Sequence, residues 1–250
     1  MDPQDINDLP SDIYDRGIDV GVAVILETSD NKVLLTKRAM HMRTFPGVWV
    51  PPGGHIEQDE SLETAVLREL QEETGLDVIS YISSSNILGL WESVFPPVLS
   101  MGPPKRHHIV VYKHITVNAS TLQLQRKLKL DPEEVHAAVW LNRSLVERIV
   151  YGTDVGIQTE DTETFFTAVN QHGEHSKGSL DSETVQELMP QPGVPNVGRL
   201  STGSRFALSL WLDHTSDSSS AAPKESNTKT EQITPNDALK NSERLKNKIL

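Results

Sequence analysis

The stretch from Gly54 to Leu76 constrains this chain most. Leu62, Ala65, Val66 and Leu70 recur at the spacing of one buried helical stripe, which predicts a helix over residues 61–74. Ser61 or Asp59 can cap its start, and Gly75 stands where a left-handed C-cap is wanted. The same helix carries Glu69, Glu72 and Glu73, whose spacing puts all three carboxylates on or near one face. Like charges repel across a turn, so a helix serving stability alone would not carry them there. Hard divalent cations, which take carboxylate oxygens, would offset that repulsion.

A solvated acidic face is the blander reading. Against it stands a coincidence: a glycine-bounded loop, the Arg68–Glu69 pair, the Glu72–Glu73 pair and a terminal glycine in one segment. Arg68 can pair with Glu60 or Glu72 and hold the loop against the helix. Gly53 and Gly54 allow close backbone approach, and a carbonyl there could also be a metal ligand. Metals so held would bridge phosphate oxygens, screen their charge and lower the pKa of a bound water. A carboxylate not committed to metal could take the water's proton.

Bulk properties fit such an enzyme. The chain has 250 residues, 36% of them hydrophobic, enough for one sizeable core with tails. A net charge of −12 disfavours an extended nucleic-acid binding surface, though not an enzyme that takes one phosphorylated end of an RNA. There are no cysteines, hence no disulfides or thiolate zinc sites. No apolar run is long enough to span a membrane, and Met1 to Asp5 is acidic and polar, unlike a signal or transit peptide. The expectation is an intracellular, cytoplasmic protein.

Along the chain, Asp19–Leu26 reads as a buried strand, Ser29-Asp30-Asn31 as a turn and Val33–Arg38 as the second strand of a hairpin. Residues 44–54 read as a loop with a short strand around Val48–Val50. Further strands are expected at 78–83, 87–92, 108–117 and 137–141, and a helix from Ser144 to Tyr151. Weaker helical patterns cover 161–170 and 182–189. Residues 1–17 read as a tether and 18–170 as the ordered domain. Residues 171–212, rich in Gly and Pro, read as a partly ordered extension, and 213–250 as a disordered polar tail.

The Gly54–Leu76 segment resembles the Nudix box. Gly54, Glu60, Arg68, Glu69, Glu72, Glu73 and Gly75 stand at its defining positions, with Leu70 and Leu76 at its apolar ones. The resemblance implies an α/β (α+β) Nudix fold, a mixed sheet sandwiched between helices. It implies Mg²⁺ or Mn²⁺ bound by Glu69, Glu72, Glu73 and Gly54. Catalysis would fall to Glu69, Glu72 and Arg68, and a structural role to Gly54, Glu60 and Gly75. The implied reaction is hydrolysis of a phosphoanhydride bond in a nucleoside diphosphate-linked substrate. Relatives often use one more acidic residue outside the box; Glu92, Glu133 and Glu134 are the candidates.

Around the box, Trp49 to Glu57, Trp91 to Pro97 and Lys105 to His108 are similar to a cap-removing branch of that family. This implies a capped RNA 5′ end as substrate and m7GDP as product. A competing pattern, Leu34 to Ala39 with Arg43 and Gly47 before Pro52-Gly53-Gly54, resembles the signature of coenzyme A diphosphatases, departing from it at Pro51. A non-catalytic nucleotide-sensing module is the alternative of another class. Arg38, Arg43, Lys105 and Arg106 are candidate phosphate contacts, and Phe45 and Trp49 candidate stacking residues. The sequence does not fix the oligomeric state.

Overall fold

A computed structural model describes residues 17–95, 99–102, 105–152, 165–179, 185, 188 and 200–220. The expected tether and most of the expected tail lie outside these residues.

The fold centres on strand β1 (Asp19–Glu27), whose side chains are buried from Gly21 onward on both faces of the sheet. Val22, Val24 and Leu26 point into one apolar layer, Ala23 and Ile25 into the other. β2 (Val33–Arg38) returns beside it, with Glu27 opposite Val33. Two short strands follow, β3 (Trp49–Val50) paired with β2 and β4 (Gly53–His55) paired with β1. Gly53 and Gly54 of the expected 44–54 loop therefore lie in a strand set directly against Val22 and Ala23.

Helix α1 (Leu62–Thr74) then crosses the sheet, burying Ala65, Val66 and Leu70. β5 (Ile82–Phe95) and β6 (Arg106–Val117) form a long antiparallel pair, and β6 runs parallel to β1. After a short helix α2 (Thr121–Gln125), β7 (Val135–Leu141) pairs antiparallel with β2, and α3 (Arg143–Tyr151) follows. β8 (Phe165–Val169) and β9 (His175–Ser179) extend the sheet, giving the order β5-β6-β1-β2-β7-β8-β9. Helix α4 (Thr202–Ser220) is the last described element.

One core layer lies between the sheet and α1, and includes Leu34, Val111, Ile115 and Leu124. The other lies between the sheet and helices α3 and α4, and includes Leu35, Val139, Ile149, Leu208 and Trp211. This is a mixed sheet between helices, as the box resemblance implies. No described helix is long and apolar enough to cross a membrane.

Several local expectations change. Residues 79–81 form a 3₁₀ turn, because the Asp77 carboxylate takes the Ile79 N–H (3.1 Å) and bends the chain. The strands expected at 78–83 and 87–92 become the single β5, whose register shifts between Ile87 and Gly89. Residues 165–169, read as helical, pair between β7 and β9; a short aromatic and β-branched run satisfies its backbone better in a sheet. Of 182–189, only Val185 and Leu188 are described; both are helical and buried.

Helix α4 is held at a buried polar knot. The Glu27 carboxylate accepts from His114 Nε2 (2.6 Å) and from Trp211 Nε1 (2.9 Å). Burial pushes this carboxyl up, but the bonds from His114 and Trp211 and the charges of His114 and Arg143 prevail and hold it below 4.5. A depressed carboxylate stabilises the fold above its unfolded value and loses that contribution as pH falls through its folded value. A Glu27→Gln variant is therefore expected to be less stable than wild type at pH 7, by about 1–3 kcal/mol. The gap should close below pH 4.5; urea titrations at several pH values would show it. A gap that does not narrow as the pH falls below 4.5 would contradict it.

Candidate active site

The site begins with how α1 is anchored. Ser61 Oγ accepts the Thr64 N–H (3.1 Å), and Gly75, at φ 69°, ends the helix with its N–H on the Gln71 carbonyl (2.7 Å). Both caps follow the sequence expectation. Beyond the cap, Lys129 N–H bonds Thr74 O (2.8 Å) and Asp131 N–H bonds Glu73 O (3.1 Å). The helix end is thus tied to the segment leading into β7.

Arg68 is the hub. Its Nε and Nη2 donate to the two oxygens of Glu60, each at 2.9 Å, and Nη2 also reaches the His55 carbonyl (2.9 Å). Nη1 bridges Glu69 Oε1 and Glu72 Oε2, both at 2.9 Å. A planar guanidinium can serve these partners at once where an ammonium cannot. Both pairings expected of Arg68 occur together. Glu60 is held below the usual carboxylate range by Arg68, and so remains ionised to grip the loop.

Glu73 is the most buried acid of the site, 4% exposed. The Gly53 N–H reaches its Oε1 (3.4 Å), and the Thr36 hydroxyl lies 3.2 Å from its Oε2. Burial raises its carboxyl to about 8; Glu134 and Glu69 add to the rise, and the bonds from Gly53 and Thr36 oppose it. Glu69 is raised by burial and by its neighbours Glu72 and Glu134, against the pull of Arg68.

Oxygens of Glu69, Glu73 and Glu134 lie within 4.8 Å of one another. Of the three acids considered outside the box, the fold thus brings Glu134 to the cluster. Glu92 pairs instead with His107 (2.6 Å), and Glu133 stands 3.7 Å from His41. Glu72 is not in the three-acid group. Its side chain is 56% exposed and is hydrogen-bonded to Arg68 at the edge of the cluster. Three oxygen donors so close, two of them held above their ordinary pKa, form a ligand set suited to a hard divalent cation.

Gly54 touches this cluster directly. A β-carbon built there would come within 2.5 Å of the Glu69 carboxylate, on backbone that cannot retreat because β4 is paired to β1. A Gly54→Ala variant is expected to displace Glu69 and lower kcat about 10²-fold with little change in unfolding temperature. Steady-state kinetics and a thermal melt would check it. Unchanged kcat would contradict the contact.

The other candidates separate. Trp49 is 2% exposed and packed in the core beneath α4, so it has no free face for a base; its expected stacking role is corrected. Arg38 turns inward on its own loop, donating to Thr44 O (3.1 Å) and Thr44 Oγ1 (3.5 Å). Arg43 and Phe45 are exposed on that loop, and Lys105 and Arg106 are exposed at the start of β6. His108, two residues on, stands beside His55 of β4, with ring centroids 5.9 Å apart. Sequence reasoning missed Thr36. A lone Thr in an otherwise buried strand was the only signal, and it points to function only once Glu73 is placed beside it.

A NUDIX domain model matches residues 17–154, and the chain belongs to the Nudix family of hydrolases, whose members use divalent metal ions. Within that family it is similar to proteins named m7GpppN-mRNA hydrolase NUDT17. The Danio rerio protein is 48% identical over 210 residues, 82% of this chain and 70% of that one. The Homo sapiens protein is 42% identical over 206 residues, 80% of this chain; the chain spans 62% of that relative, less than two thirds of it. Among solved structures, a MutT protein from Methanosarcina mazei is 25% identical, with a TM-score of 0.41 over 55% of this chain and 83% of its own.

Proposed function

We propose that this enzyme hydrolyses the phosphoanhydride bridge of methylguanosine-capped RNA and releases m7GDP. The observation carrying the reading is the similarity, over most of the chain, to relatives named for that reaction, joined to a complete carboxylate cluster. In this reading the hydrolase domain is 18–170, with 171–212 as a partly ordered extension. A capped RNA as substrate supports an enzyme that works inside the cell, in the cytoplasm.

Glu69, Glu73 and Glu134 hold Mg²⁺ or Mn²⁺, with the backbone of Gly54 alongside. When bound, such ions neutralise the pyrophosphate oxygens and acidify the attacking water. The remaining work falls to the chain itself. Arg68 fixes Glu69 and Glu72 in one plane of hydrogen bonds. Thr36 and the Gly53 N–H hold Glu73 from beneath. Glu72, exposed beside the cluster, takes the proton of the attacking water. Arg43 meets the phosphates near the cap, and Lys105 and Arg106 meet those of the RNA body.

The coenzyme A pattern loses ground because its residues have other tasks here. Leu34 and Leu35 are core, Thr36 supports Glu73, and Arg38 clasps its loop. The sensing-module alternative gains nothing from a box with every carboxylate in place.

The test is a hydrolysis panel of capped RNA, coenzyme A, ADP-ribose and nucleotide sugars, with Mg²⁺ or Mn²⁺ and with excess chelator. Capped RNA should be cleaved to m7GDP only with metal. Glu72→Gln should slow that cleavage without loss of nucleotide binding. Cleavage that survives chelation, or a preference for coenzyme A, would refute the proposal.

A further inference from the structure

The loop between β2 and β3 carries an unusual residue. Phe45 is 66% exposed and sits at φ 51°, in the left-handed region. Asn31 and Asp59 also have positive φ, but their short polar side chains tolerate it. A bulky aromatic does not, and its ring gains nothing from facing water. Two unfavourable features coincide in one side chain.

The rest of the loop enforces that geometry. Arg38 N–H bonds Val48 O (3.0 Å), and Gly47 N–H bonds Arg38 O (3.1 Å). The Arg38 guanidinium grips Thr44 from within, through both its carbonyl and its hydroxyl. Phe45, next in sequence, is thereby held outward.

The loop also springs from the carboxylate cluster. At one end, the Ala39 N–H bonds the Glu134 carbonyl (2.8 Å). At the other, the Val50 carbonyl lies 3.3 Å from the Thr36 hydroxyl, the same hydroxyl that stands beside Glu73. Both stems of the loop are fixed to groups that position the acids.

We propose that Phe45 is the platform on which the methylated guanine of the cap stacks, and that Arg38 is the positioning residue that holds it in place. The inference rests on the cap-hydrolase reading and assigns the base to a residue. Methylation gives the guanine a delocalised positive charge, which an aromatic face attracts by cation–π interaction as well as by stacking.

The experiment compares wild type with Phe45→Trp, Phe45→Asn and Arg38→Ala, using calorimetric titration with m7GDP and steady-state kinetics on capped RNA. Asn tolerates the left-handed backbone but has no ring, so it separates loop shape from stacking. The Asn and Ala variants should bind m7GDP about tenfold more weakly, with KM raised and kcat nearly unchanged. Trp should bind at least as well as wild type. An Asn variant that binds m7GDP like wild type, or a wild type that does not bind it, overturns the inference. Capped RNA cleaved with an unchanged KM in the Asn variant sinks this inference alone. Phe45-dependent m7GDP binding without any cap cleavage supports it and sinks the cap-hydrolase reading instead.

Discussion

Replacing Glu73 by Gln is expected to lower kcat on the order of 10³-fold while leaving the chelated protein at least as stable as wild type. The two halves of that result have one cause. Glu73 is buried among oxygens, with Glu69 and Glu134 beside it, and burial holds its carboxyl near 8. The fold therefore carries a group whose charged form it disfavours. Gln keeps the shape and can still accept from the Gly53 N–H and bond the Thr36 hydroxyl. It removes only the charge. If that charge served the fold, its loss would destabilise. If it serves a cation, its loss costs the several kcal/mol of transition-state stabilisation that a cation supplies, on the order of 10³-fold in rate. Parallel urea titrations in chelator and kinetics in saturating Mn²⁺ would separate the two. A variant that is unstable yet active per folded molecule would contradict the assignment.

The second large effect concerns α4. Trp211 is 1% exposed, packs among Leu35, Val139 and Leu208, and donates its indole N–H to Glu27. A Trp211→Ala variant should lose about 3–5 kcal/mol of stability through cavity formation. The lost indole bond to Glu27, which keeps His114 as its donor, adds to that cost. For a domain of this size the melting temperature should fall by about 10 °C. The measurement is chemical unfolding with the slope checked against wild type. A loss below about 1 kcal/mol would mean that α4 is a dispensable appendage. A loss as large as expected would make α4 part of the same core as the strands.

Local signals were readable in the sequence and distant ones were not. Helix α1, its Ser61 and Gly75 caps, and the Arg68–Glu60 and Arg68–Glu72 pairings all lie within one short segment, so spacing alone disclosed them. Glu134 was only one of three candidates, because its place beside Glu73 is set by the pairing of β7 with β2, and no short-range pattern records that. Glu72 looked equivalent to Glu69 and Glu73 by spacing. A modest rotation around the helix axis is enough to leave it in solvent, half exposed beside Arg68. Trp49 illustrates the opposite error. Next to a glycine-rich loop it looked like a stacking residue, yet α4 covers it, and α4 itself was hidden behind a Gly- and Pro-rich stretch. Its signals were the Ser201 cap, whose hydroxyl takes the Ser204 N–H at 3.0 Å, and the apolar run from Phe206 to Leu212.

The carboxylate cradle of Glu69, Glu73 and Glu134 is the claim to which most of the chemistry returns. Manganese binding followed by electron paramagnetic resonance tests it without reference to any substrate. Wild type should sequester Mn²⁺ with saturable stoichiometry, and Glu69→Gln, Glu73→Gln and Glu134→Gln should each weaken that binding at least tenfold while remaining folded. Manganese held equally well by all three variants would show that the cation sits elsewhere.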